Sequence, residues 1–234
     1  MRLAFGVLVA LVLALPALAA DGFQAIYAGQ DGQPDIHIEV AANGDFRVGP
    51  VSGEQYGIGI GEDFFMVARE GRGRTRVFRV QEMAAAMEQV MPPQFKALFA
   101  EAAKDMTPGE LPKMTRTGSR TIAGFEGEVW RISFGSPPEA REVVLSKDPR
   151  LRPIGLAMGK FIESNMLMMA PLVGEAAGGM MKEARQLFAL GTPIGGDGGF
   201  LLKSAGPAQV PPERLALPAR PMTRDELLKN LGRP

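Results

Sequence analysis

The sequence predicts an α+β fold in which an antiparallel sheet carries helices on one face. Three observations lead there. The first part of the chain alternates apolar and polar residues with period two, and the period turns helical near Met83. The overall order is strands, helices, strands, long helix, strand, which alternating βαβ units would not give.

The first element precedes the fold. Arg2 leads an apolar run from Leu3 to Leu15, followed by Pro16 and Ala17-Leu18-Ala19-Ala20. A core this short with small residues at its end reads as a secretory signal peptide over residues 1–19, cut after Ala19, with Ala20 the second choice. Residues 20–234 then form one domain that closes in a Pro-rich tail from about residue 205.

Strands follow in a meander between Phe23 and Val80. Asp35 to Val40 is the clearest, with Ile36, Ile38 and Val40 on one side and Asp35, His37 and Glu39 on the other. Asn43-Gly44 tolerates positive φ and turns the chain into Asp45 to Val48. Gln55 to Ile60, Phe64 to Arg69 and Thr75 to Val80 complete the group. In the first of these, Tyr56, Ile58 and Ile60 face the core, and Gly57 and Gly59 allow a close neighbour.

Met83, Met87, Val90 and Met91 make a helix that Pro92-Pro93 ends, and a second helix starts on that proline with Phe95, Leu98, Phe99 and Ala102. The second strand group is Thr115 to Phe125, Gly127 to Phe134 and Arg141 to Ser146. A helical region from about Leu156 to Leu190 carries Ile162, Met166, Met169, Val173, Ala176 and Met180 as one seam, with Pro171 dividing or kinking it. Gly191 and Pro193 stop it. The run Gly195 to Gly199 is a flexible turn, Phe200 to Lys203 the last strand, and Thr223 with Glu226 a capping box on a short final helix.

Composition narrows the function. Lys plus Arg and Asp plus Glu are 26 each, and loss of Arg2 leaves the mature chain one charge from balance. A nucleic-acid partner would want a basic surplus. The absence of cysteine excludes disulfides, thiol catalysis, thiolate metal sites and a lipidated cysteine. After the leader there is no uncharged apolar run of about 18 residues, so no transmembrane anchor is expected. The address is the periplasm, or the outside of the cell.

The stretch Arg116-Thr117-Gly118-Ser119-Arg120-Thr121-Ile122-Ala123-Gly124-Phe125-Glu126-Gly127-Glu128-Val129-Trp130-Arg131-Ile132 resembles the central hairpin of a family of exported bacterial proteins of unknown function, related in fold to the periplasmic lipoprotein carrier LolA. Glu142 to Pro149, a helix, Gly191-Thr192-Pro193-Ile194 and the tail Val210 to Pro218 follow in that family's order. Gly127 stands where the family usually has a turn cysteine. The resemblance implies a curved antiparallel sheet, a LolA-like half barrel, with helices on its concave face over an apolar cavity. In LolA that cavity holds acyl chains.

The candidate cavity wall is Ile162, Met166, Met169, Val173, Met180 and Trp130, since flexible thioethers suit an acyl chain. Met166, Met168, Met169, Met180 and Met181 also offer soft ligands for copper(I), and His37 stands between two carboxylates. However, successive same-side strand residues lie about 7 Å apart, which disfavours convergence on a metal. No cofactor is called for. No serine sits in a Gly-x-Ser-x-Gly setting, so a secreted hydrolase has little to stand on. The function expected is non-enzymatic binding of a lipid or acyl chain. The alternatives are an envelope protein-interaction module with a filled core, recruiting a partner through a sheet edge or the tail, and copper handling through the methionines.

Overall fold

The computed structural model describes residues 22–29, 32–50, 53–104, 113–134, 139–174, 176–197, 199 and 201–232. The leader expected over residues 1–19 lies outside them. The fold is α+β. Strands β1 (Gly22–Tyr27), β2 (Ile36–Ala41), β3 (Phe46–Pro50), β4 (Gln55–Ile60), β5 (Asp63–Arg69) and β6 (Thr75–Arg79) form the meander, and α1 (Val80–Val90) and α2 (Pro93–Lys104) follow. Next come β7 (Lys113–Ile122), β8 (Phe125–Phe134), β9 (Glu139–Ser146), then α3 (Arg152–Val173), α4 (Ala176–Leu190), β10 (Thr192–Gly196) and β11 (Leu202–Ala208). Helices α5 (Pro212–Leu215) and α6 (Arg224–Leu231) sit in the tail.

The sequence predicts one continuous sheet. Among the described residues the backbone ladders instead form two antiparallel sheets, a seven-stranded one in the order β11-β1-β2-β3-β4-β5-β6 and a four-stranded one in the order β10-β9-β8-β7. They meet through a side chain: Tyr27 Oη on β1 donates to the Pro193 carbonyl on β10 at 2.9 Å. Burial of that phenol pushes its pKa up. The first and last strands of the large sheet are neighbours, with Gly22 opposite Ala208.

Several local expectations move. The β7–β8 turn falls on Ala123-Gly124, both with positive φ (50° and 82°), rather than at Glu126. This is the left-handed pair a two-residue hairpin requires. The break in the long helical region comes at Gly174 (φ 58°) and not at Pro171, which α3 accommodates in its last turn. Gly195-Gly196 is not a flexible turn but the end of β10. Asp197 fastens it there, its carboxylate accepting the Glu142 N–H and its own N–H reaching the Glu142 carbonyl, each at 2.8 Å. The tail begins after Ala208, because residues 202–208 are a strand.

Two cores result. The main one lies between α3 and both sheets and includes Tyr27, Ile38, Phe46, Phe64, Val129, Val144, Ile154, Met158 and Ile194. The second lies on the other face of the large sheet and contains Tyr56, Ile58, Phe65, Val67 and Val77, with Leu217 and Ala219 of the tail packed on it. Thus Tyr56 and Ile58 are buried as the alternation predicts, but under the tail. The bare face of β4 turns to the main core, where the rings of Phe64 and Phe46 close over Gly57 and Gly59. Phe161 of α3 completes that contact, 6.0 Å from Phe64.

Candidate functional site

The start of α3 is fixed tightly. The Asp148 carboxylate accepts the Arg150 N–H at 2.9 Å and also pairs with the Arg150 side chain, which holds its pKa below the usual carboxylate range. Leu151 is fully buried just after it, and Ile154, Ala157, Met158 and Phe161 then pack toward the sheets. Thr192 Oγ1 donates to the Leu151 carbonyl, tying this turn to β10.

At 3.6 residues per turn, Ile162, Met166, Met169 and Val173 lie about a quarter turn away from that buried stripe. Helices α1, α2 and α4 all pack on α3, and α4 meets it with Phe188 against Gly159 and Arg185 bonded to Glu163 at 2.6 Å. Ile162, Met166 and Val173 are half-buried there and Met169 is 44% exposed. Met180 is on α4, beyond the Gly174 break, so the predicted seam is not continuous. Met168 packs against the main core. Trp130 is not with these residues. Its neighbour Val129 faces the main core, so Trp130 turns to the other side of β8. There it lies beside Glu128, whose carboxylate is 3.0 Å from Lys147 Nζ and 3.4 Å from Arg116 Nε. The Lys147 hydrogen bond, first among these contacts, holds the Glu128 pKa down.

His37 is half-buried on β2. The carboxylates flanking it point elsewhere: Asp35 pairs with Lys203 at 2.7 Å, and Glu39 takes Arg214 in a two-pronged contact at 2.6 and 3.1 Å. No group of three or more His, Cys, Asp or Glu that could hold a metal occurs among the described residues. Nor is any described helix long and apolar enough to cross a membrane.

A cavity lies on the opposite flank of α3. It is a cleft of about 540 Å³ between the first two turns of that helix and the end of the large sheet. Phe23 of β1, with Val40, Ala41, Ala42, Gly44 and Phe46 of the β2–β3 hairpin, makes one wall. Pro149, Arg152, Pro153, Leu156, Ala157 and Lys160 make the other. Leu156 is 66% exposed at this wall, between two cations one turn away on either side. Lys160 Nζ donates to the Gly61 carbonyl, while the Arg152 backbone N–H donates to the Pro149 carbonyl and its guanidinium has no hydrogen-bond or ion-pair partner among the described residues. No carboxylate lines the cleft. Its sequence signal was Arg152, Leu156 and Lys160 at four-residue spacing, which reads as an ordinary wet helix face until β1 and the β2–β3 hairpin are placed across from it. Comparison with known protein families, with curated proteins and with solved structures finds no match to this chain.

Proposed function

We propose that the chain is an exported, non-enzymatic periplasmic protein that holds a hydrophobic or amphipathic ligand, a lipid or acyl chain, in the cleft beside α3. In this reading the two sheets are parts of a LolA-like half barrel. The observation that carries it is the cleft itself: its volume of about 540 Å³ lies within the range of about 300–1,000 Å³ usual for small-ligand sites, and its lining is mostly apolar. Leu156 stands in it 66% exposed, and removing that surface from water would contribute roughly 1–2 kcal/mol.

The test is native mass spectrometry of the purified protein before and after incubation with phospholipid vesicles, with Leu156→Asp as the comparison. A bound lipid on the wild type that the folded variant lacks supports the reading. Bare protein after lipid challenge, or equal loading of the variant, rejects it. A second reading rests on β7, a ten-residue strand that pairs with β8 alone among the described residues and is exposed along nearly its whole length. Such an edge is a template for an added strand from an envelope partner. The tail is a poorer recruiter, because Leu215 and Leu227 are buried.

A further inference from the structure

Resting on the cleft reading, we infer that the site is selective for an anionic head group, so that its ligand is a single-chain amphiphile ending in a carboxylate or a phosphate. Arg152, Leu156 and Lys160 follow one another at intervals of four along α3, spanning about 12 Å of one helix face at 1.5 Å rise per residue. The apolar side chain is therefore bracketed by two positive ones over a length that suits a head group and the first part of a tail.

Neither cation is in an ion pair among the described residues. Two residues earlier, Arg150 is closed off by Asp148 at 2.6 Å, which shows how this surface neutralises a guanidinium where no ligand is needed. Arg152 has no such partner among the described residues. Lys160 reaches a carbonyl, which satisfies one donor and leaves its charge in place. The lining itself carries two cations and no carboxylate, and a neutral chain would leave Arg152 without a counter-charge. A carboxylate or phosphate would take the planar guanidinium in two parallel hydrogen bonds, the geometry arginine offers and lysine does not. Phe23 and the Ala41-Ala42 stretch on the facing wall would cover the start of the tail.

The experiment measures displacement of the neutral fluorescent probe N-phenyl-1-naphthylamine from the full mature protein. The competitors are dodecanoate, dodecyl phosphate, dodecanol and dodecylamine, all with one tail and each below its micellar concentration. The anionic competitors should act at roughly tenfold lower concentration than dodecanol, the size of one charge-assisted hydrogen bond. Which anion leads identifies the head group. Arg152→Gln with Lys160→Gln should erase the preference, read as the ratio of the dodecanoate to the dodecanol concentration that displaces half the probe from that same variant, and the paired Glu replacements should shift it to dodecylamine. Equal displacement by dodecanol and dodecanoate, or a preference that survives the double Gln variant, overturns the inference while leaving the cleft reading intact. Displacement by acetate or inorganic phosphate alone overturns it in favour of a simple anion site. Failure of the folded wild type to bind the probe defeats the cleft reading itself.

Discussion

At Gly59 two aromatic rings meet over a backbone. Its partner across one side is Phe46 and across the other Phe64, and a Cβ added there would fall inside the Phe46 ring. Gly59→Ala therefore trades a backbone gain of roughly 0.5–1 kcal/mol for overpacking of about 1–3 kcal/mol. A lower urea midpoint is the expected outcome, and an unchanged midpoint would show that the rings do not close on β4. The sequence already announced a close approach at these glycines. It could not say that the larger core lay on their side, since a period of two separates two faces without ranking them. The same limit applies to Trp130, expected in one wall with the α3 methionines: which face of β8 meets α3 is decided by tertiary packing, and Val129 takes that face. Ala123 is another residue-level surprise, a non-glycine held at positive φ because the hairpin turn demands it.

Among the elements, those with a local chemical stop were legible. Pro93 opens α2 as read, and the Thr223–Glu226 capping box closes in both directions on α6. That box carries a pH prediction. The Arg220 side chain, and then the Thr223 N–H, hold the Glu226 pKa at about 2 against an ordinary 4.5. A depressed folded-state value means that the cap's contribution is complete above about 4.5 and is lost as pH falls toward about 2. The Thr223 amide resonance should titrate with its midpoint near the lower value, and a midpoint near the ordinary one would refute the closed box. Elements set by distant partners were harder to read. Strand β10 exists because Thr192, Pro193, Gly195 and Gly196 pair with β9, and no local propensity of a glycine run announces that. The helix break followed Gly174, whose backbone reaches positive φ freely, while Pro171 lost only one donor in a final turn.

For the whole molecule, the tail is a structural wall. It covers Tyr56, Ile58, Val67 and Val77, Met222 N–H bonds the Val77 carbonyl at 2.8 Å, and α6 packs on α1. A chain ending at residue 208 should lose on the order of several kcal/mol, at roughly 1.5–3 kcal/mol for each large apolar side chain uncovered. Its unfolding midpoint should fall and its binding of a hydrophobic dye rise, whereas an unchanged midpoint would show that the second core stands without its roof. The cleft is also a property of the whole. Apolar periodicity led to the longest seam on α3, which is half-buried in a helix layer shared with α1, α2 and α4, whereas the cleft is assembled from pieces of chain remote in sequence. The pairing of β1 with β11 has a consequence of a different kind. The outer partner of β1 is β11, so the large sheet stays unfinished at that edge until residues 202–208 have been made. Its closure joins residues nearly the full domain apart, which puts this contact among the slow, high-contact-order steps. Until β11 arrives, β1 presents an open edge, the kind of transient surface that makes a folding chain prone to aggregation.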